Sequence, residues 1–280
     1  MRDRTVVENV DVRVPALLRA CHPGPTVAVT LVATLLAVGA DLDAVHVVLV
    51  GAAVLFGQLT IGWTNDVVDS ERDRTVGRPD KPVAAGEVSR RTTAVAAVTA
   101  LVACVVLSAS LGWRAGLCHV VLLVGSGLAY DLGVKSTVWS WLPYAVAFGS
   151  LPAVPALAQD PPAAPAWWLV AAGSLLGVGA HLVNVLPDLD DDAATGVRGL
   201  PHRLGARASR TAAAVVLLAA SAALLVAPPD AGGAWRWLVL AVTLALAAVV
   251  ALGRGRTPFR AAMVMAVVDV VLLITVGGGG

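Results

Sequence analysis

The sequence predicts an all-α, polytopic membrane protein of nine transmembrane helices with a cytoplasmic N-terminus. Composition, the recurrence of apolar runs and the placement of basic residues between those runs carry this prediction. Of 280 residues 58% are hydrophobic and 14% charged, and the mean hydropathy is +0.80. Those values lie outside the usual range for a soluble domain. Runs close to the ~20 apolar residues that a helix needs to cross a ~30 Å hydrocarbon core recur along the chain, which leaves little for a soluble domain. A formal net charge of +1, with no basic tail, argues against a nucleic-acid partner.

Residues 1–25 carry both charge signs and no apolar h-region. They read as an interfacial segment rather than a cleaved signal. Apolar runs bounded by turn signals then place spans at about 26–41, 45–64, 91–110, 115–131, 138–158, 165–187, 208–227, 235–252 and 259–276. The second span ends in the acidic stretch NDVVDSERD and the sixth in NVLPDLDDD. Pro143, Pro152 and Pro155 fall in the fifth, where they either kink a packing helix or break it beside a wet cavity. Asp269 falls in the ninth and reads as a neutral or hydrogen-bonded acid facing the bundle. Residues 277–280 form a low-complexity Gly tail. Cys21, Cys104 and Cys118 have no CxxC or Cys/His spacing and read as packing residues.

With these spans in place, all Lys and Arg except Arg114 and Arg236 fall on one side of the membrane. Under the positive-inside rule that side is the cytoplasm, and the C-terminus lies outside. One missed helix would scramble every later loop, so the sorting supports the count of nine. Both acid-rich segments then face the cytoplasm.

Asn65, Asp69 and Asp73 are spaced i, i+4, i+8, and Asp66 is i−7 from Asp73, so a continued helix gathers all four on one side. Asn184, Asp188 and Asp192 repeat that spacing, and a Gly follows the last Asp by four residues in both places, Gly77 and Gly196. The second and sixth helices are four apart, which suggests an internal duplication of a four-helix unit. At ~6 Å and an effective dielectric of ~20, each like-charge carboxylate pair costs about 3 kcal/mol, so crowded acids call for counter-ions. Oxygen-only donors without a suitably spaced His or Cys point to a hard divalent ion. Mg2+ characteristically binds through one or two carboxylates plus substrate phosphates. Two clusters therefore suggest a clamp around a bridging phosphate group. A solvated acidic loop is the plainer reading of a single cluster and loses ground when two matched clusters share a side. Arg19, Arg72, Arg74, Arg78, Lys81, Lys135 and Arg198 lie near enough in sequence to serve a phosphate, although a cytoplasmic Arg is also an ordinary topological anchor.

NDVVDSERD matches, at every fixed position, the first aspartate motif NDxxDxxxD of the UbiA superfamily of intramembrane prenyltransferases. RPDKPVAAGEVS resembles the continuation of that motif, LPDLDDDAATGVRGLPHRLG its second motif, and YDLGVK the Tyr and Lys segment between them. The resemblance spans helices two to seven. It implies a nine-helix bundle with a central cavity capped on the cytoplasmic side, and Mg2+-dependent transfer of an isoprenoid from its diphosphate. Carried over residue by residue, Asn65, Asp66, Asp69, Asp73, Asn184, Asp188 and Asp192 would hold two or more Mg2+ ions with the diphosphate, and Asp69, Asp73, Asp188 and Asp192 would be catalytic. Arg19, Arg72, Arg78, Lys81, Tyr130, Lys135 and Arg198 would contact the diphosphate. Asp131 departs from the pattern, an acid where a neutral residue is expected.

A diphosphate leaves readily only when its developing charge is neutralised, and an allylic cation survives best where water is scarce. Trp63, Trp139, Trp141, Tyr144 and Phe148 either stabilise such a cation or form an interfacial belt. His181, on the face of Asn184 and Asp188, is either an acceptor-side base or a packing histidine. The expected partners are a prenyl diphosphate, an aromatic or lipophilic acceptor and the lipids of the cell membrane. A membrane terpene cyclase of the same superfamily is the alternative, disfavoured because such cyclases tend to lose the acid at Asp69. A cation transporter is more distant, because apart from Asp269 the acids sit at span ends.

Overall fold

In the computed structural model, residues 14–78, 80–226, 235–255 and 257–277 are described. Residues 1–13 of the expected interfacial segment and residues 278–280 of the Gly tail lie outside them. Every element among the described residues is helical. In chain order these are α1 (Val14–Ala20), α2 (Pro23–Gly39), α3 (Ala44–Thr75), α4 (Arg90–Ala109), α5 (Trp113–Leu117), a π segment (Cys118–Val124), α6 (Gly125–Asp131), α7 (Leu142–Ser150), α8 (Ala153–Leu157), α9 (Trp167–Asn184), α10 (Leu189–Ala194), α11 (Leu200–Val226), α12 (Trp235–Leu252) and α13 (Thr257–Gly277).

Helix underlies each expected span, with differences that have local causes. Five helical segments are long and apolar enough to cross a membrane: Ala44–Thr75, Arg90–Ala109, Trp113–Asp131, Trp167–Ala194 and Leu200–Leu225. A sixth is counted if α1 and α2, bent by 67°, form one span. The fifth expected span breaks into α7 and α8 at Leu151 and Pro152, since proline donates no N–H to the ladder. Among the shorter apolar helices is Trp237–Leu252, within the eighth. Helix α3 runs eleven residues past the end expected at Thr64, to Thr75. At 1.5 Å per residue it is about 48 Å long, so it outreaches a hydrocarbon core and carries the first acidic motif on a rigid extension. Asp43 caps its start, accepting from the backbone N–H of Val45 at 2.9 Å and of His46 at 3.0 Å.

The second motif is not on one continuous helix. Between α9 and α10 the chain passes through a 3-10 turn at Leu186–Asp188, because Pro187 cannot continue the α9 ladder. Asn184 thus closes α9 while Asp192 sits on α10, so the matching spacing of the two motifs does not give matching backbones. Helix α11 starts earlier than expected and kinks at Gly205, whose φ of 78° is open to glycine.

Two large apolar cores hold the bundle among the described residues. One joins α2, α3, α4, the π segment and α8 around Val50, Val54, Leu123 and Val154. The other joins α9, α11, α12 and α13 around Leu182, Leu217, Val250 and Met265. Helix α7 packs on α9, and α13 closes back on α2, so a space remains between the halves. Small residues allow the closest approaches. A Cβ on Gly177 would run into the Tyr144 carbonyl, one on Gly62 into the Cys21 carbonyl, and one on Gly173 would lie 2.5 Å from the Phe148 carbonyl oxygen. Trp63 Nε1 donates to the Leu17 carbonyl at 2.8 Å, tying the α1–α2 elbow to α3. Asp269 is 1% exposed and accepts from Ser221 Oγ at 3.1 Å, inside the second half. The three cysteines are free and buried.

Gly62→Ala should therefore lever the elbow off α3 and destabilise the protein by about 1–3 kcal/mol. Gly24→Ala, on the same elbow but with nothing within 4 Å of the added carbon, should lose no stability. Thermal unfolding of both variants in detergent checks this, and equal melting of the two would contradict the packing described.

Candidate active site

The space between the halves has two chambers. One, of about 320 Å³, is polar and lies at the ends of α3 and α9. The other, of about 290 Å³, is mostly apolar and is lined from α2, α3, α6, α7, α9 and α13. His22, Pro25, Asn65, Tyr130, Asn184 and Phe259 line both, so the chambers meet at a common neck.

The polar chamber brings together most of the residues expected from sequence: Arg19, Asn65, Asp66, Asp69, Arg72, Arg78, Lys81, Tyr130, Lys135, Asn184, Asp188 and Asp192. Asp69, 5% exposed, is at its centre. It receives Lys135 Nζ at 2.5 and 2.6 Å, Arg72 Nη2 at 2.9 Å and Asn65 Nδ2 at 3.1 Å. Arg72 Nη2 also stands 3.6 Å from Asp73 and 3.8 Å from Asp192, and Arg78 Nη1 stands 3.2 Å from Asp188. Two arginines from the end of the first motif thus hold the second motif across the chamber. Arg78 also donates to Asp80 at 3.0 and 3.2 Å. That hydrogen bond keeps the guanidinium above its ordinary range and Asp80 below the usual carboxylate range.

The loop after α3 folds back over the helix because its polar groups find partners there. Val83 N–H donates to Asp66 Oδ2 at 3.1 Å, and Lys81 Nζ lies 3.1 Å from Asn65 Oδ1, 3.1 Å from His22 Nε2 and 3.6 Å from Asp66. Arg19 is in contact with Glu87 at the rim. Lys135 is placed by the short turn after α6, where Gly133 at φ 148° reverses the chain.

Two expected contributors are placed differently. Arg198 is exposed and outside the chamber lining, beyond the turn at Gly196 (φ 85°), and its own carbonyl receives Arg203 Nε. Asp73 is 2% exposed and sits behind the wall, reached through Arg72. Asn184 points its amide at Tyr144 Oη, 3.4 Å away, at the neck. The aromatic candidates divide: Trp139 is 58% exposed, whereas Tyr144 and Phe148 line the apolar chamber with rings 6.3 Å apart. His181 is buried in the lining of the polar chamber, with Nε2 2.9 Å from Ser140 Oγ, its ring 5.0 Å from that of Tyr144 and its Nδ1 without a hydrogen-bond partner. Sequence reasoning passed over His202, 3.5 Å from Asp192, and His22, at the break before α2. The HRLG and CHPGP stretches around them are the signals that could have marked both.

The donor set suits a hard ion. Asp66 Oδ1 and Asp73 Oδ2 are buried without a hydrogen-bond partner, and the first motif and its facing motif supply oxygen donors alone. Among the described residues no three His, Cys, Asp or Glu side chains converge on one point. A Mg2+ ion that shares its coordination between one or two carboxylates, water and a phosphate needs no such triple.

Comparison with known proteins identifies the family. The model of the UbiA prenyltransferase family matches residues 26–268. A digeranylgeranylglyceryl phosphate synthase of Methanopyrus kandleri is 30% identical over 215 residues, 73% of this chain and 74% of the relative. The apo structure of a UbiA homolog from Aeropyrum pernix K1 has a TM-score of 0.75 at 22% identity, covering 90% of this chain and 98% of that one. A UbiA homolog from Archaeoglobus fulgidus bound to GPP and Mg2+ has a TM-score of 0.70 at 15% identity, covering 94% and 98%. With both aspartate motifs facing one polar chamber and the family pattern running through most of its length, the chain belongs to the UbiA prenyltransferase family and is an intramembrane prenyltransferase.

Proposed function

We propose that the protein transfers an isoprenoid group from an allylic prenyl diphosphate to an aromatic or lipophilic acceptor, with Mg2+ bound between the diphosphate and the two aspartate motifs. The observation that carries this reading is the pairing of chambers. A charged space holding both motifs opens through one neck onto an apolar space of similar volume, which suits a molecule with a polar head and a hydrocarbon tail. The solved Archaeoglobus fulgidus homologues bound to GPP or DMAPP with Mg2+ support it by fold.

In this reading Asp69, Asp188 and Asp192, with Asn65 and Asp66 beside them and Asp73 behind, hold Mg2+, which neutralises charge on the departing diphosphate when bound. Asn184 stands at the neck, where it orients the substrate through Tyr144. Lys135, Arg72, Arg78 and Lys81 are already fixed by carboxylates, so they meet the diphosphate oxygens without reorganising. Tyr130 closes the neck, and Arg19 reaches from the rim. Below it the apolar wall excludes water from the carbon that loses its leaving group. Nine passes with the N-terminus in the cytoplasm fit the helices under each expected span and the sorting of basic residues, and they put the polar chamber on the cytoplasmic side of the cell membrane.

Asp188 is half-exposed and its partner Arg78 keeps Asp80, so Asp188→Ala should fold normally while turnover falls by about 10²–10³-fold. Mg2+ titrations of activity with circular dichroism test this, and full turnover by the variant would refute the metal assignment. Purified protein given C10, C15 and C20 diphosphates with Mg2+ should consume them only when an acceptor is added. Hydrocarbon released in the absence of acceptor would establish the cyclase in place of the transferase.

A further inference from the structure

The ends of α11, α12 and α13 nearest the polar chamber carry cations that neither chamber uses. Arg207, Arg210, Arg254 and Arg260 line neither one. Their side chains make no ion pair or hydrogen bond among the described residues, and Arg210 Nε is buried without a partner. By contrast, Arg19, Arg72 and Arg78 each contact a carboxylate. The sequence explains the difference. Between Ala193 and Val268 it has one acidic residue, Asp230, in the connection from α11 to α12, so these helix ends hold no carboxylate of their own.

Packing brings the four together. Ala213 and Ala214 of α11, Val250 of α12 and Ala261 of α13 belong to one core cluster. Arg210 lies three residues before Ala213, Arg254 four after Val250 and Arg260 beside Ala261, so these guanidinium groups emerge from that cluster at one end. Arg207 follows one turn further out. Phe259, next to Arg260, lines both chambers, which puts this end of the bundle on the side of the polar chamber. Hydrocarbon follows directly along the helices: Leu252 and Val249 on α12, and Val264 one turn past Arg260 on α13, are exposed. Unpaired guanidinium groups beside bare aliphatic side chains suit a phosphate ester with acyl chains, since the planar fork pairs with phosphate oxygens and the chains cover the aliphatics. A soluble anion would use only the first.

We infer that the ends of α11, α12 and α13 form a binding site for one anionic phospholipid. Its phosphate is held by Arg210, Arg254 and Arg260 with Arg207 at the edge, and its acyl chains lie against Leu252, Val249 and Val264. The site is separate from the chambers and does not depend on the prenyl-transfer reading. A bound headgroup ties the first turn of α13 to α11 and α12, which fixes Phe259 at the neck. The lipid therefore stabilises the folded protein.

The test titrates phosphatidylglycerol and phosphatidylcholine of the same acyl chains into protein purified in a neutral detergent. Bound lipid is counted by native mass spectrometry, and Tm is followed alongside. Wild type should hold one phosphatidylglycerol about tenfold or more tightly than phosphatidylcholine, and should melt at a higher temperature with it. The triple variant Arg210→Gln/Arg254→Gln/Arg260→Gln should reduce that preference to about threefold or less. Should it not fold, Arg254→Gln/Arg260→Gln, which changes two exposed side chains, should still weaken phosphatidylglycerol binding about threefold or more. Arg90→Gln/Arg91→Gln removes two exposed arginines at the start of α4 and should leave the preference unchanged. Equal binding of the two lipids by wild type, or an undiminished preference in the folded variants, would overturn the inference. An equal loss in the α4 variant would overturn it too, by tracing the preference to overall charge. Displacement of phosphatidylglycerol by excess glycerol phosphate would assign the site to a soluble anion in place of a lipid.

Discussion

The architecture depends on how carboxylates are held together at one mouth of a hydrophobic bundle. Asp66, Asp69 and Asp73 are almost fully buried, and Asp188 and Asp192 face them across the chamber. In so little water their mutual repulsion would drive the helix ends apart. Arg72 and Arg78 prevent this by each contacting both motifs or the loop beside them, and Lys135 reaches in from the turn after α6 to reinforce Asp69. The cations therefore have a structural task before any substrate arrives, and they lie where a diphosphate would need them.

That mouth is positioned by packing far from it. The α1–α2 elbow is fixed to α3 through Gly62 and Trp63, and α7 lies on α9 through Gly173 and Gly177. The first pair of contacts sets the rim at Arg19 and His22. The second sets Tyr144 and Phe148 on the wall of the apolar chamber. Because each core belongs to one half of the chain, the boundary between cores is where the molecule can remain hollow. The charged and apolar chambers are consequences of that same boundary, one at its end and one within it.

The helix ends are asymmetric despite their repeated spacing. The first motif lies on an unbroken helix that projects past the apolar region. The second turns at Pro187 and continues as the short helix α10. A rigid arm thus faces an angled one across a gap. This gap is bridged by arginine side chains, Arg72 to Asp192 and Arg78 to Asp188.

Helix content, apolar spans and the two aspartate motifs were legible in the sequence, because apolar runs, turn residues and i, i+4 spacing are local properties. The sequence likewise marked Lys135 and Tyr130 through one quoted segment, and it marked Asp131 as the residue out of pattern. Three things were decided only by tertiary structure. Spacing could not reveal that Pro187 splits the second motif into two directions, since the same N-xxx-D-xxx-D count fits a straight helix and a bent one. Proximity in sequence put Arg198 beside the second motif, yet the backbone reversal at Gly196 carries it to the surface, while His202 returns toward Asp192. The chambers themselves, and the unpartnered Oδ2 of Asp131 on their wall, arise from which helices meet. A hydrogen bond lacking its partner is a fact about every neighbour of a side chain, and neighbours distant in the chain are what a one-dimensional pattern leaves out.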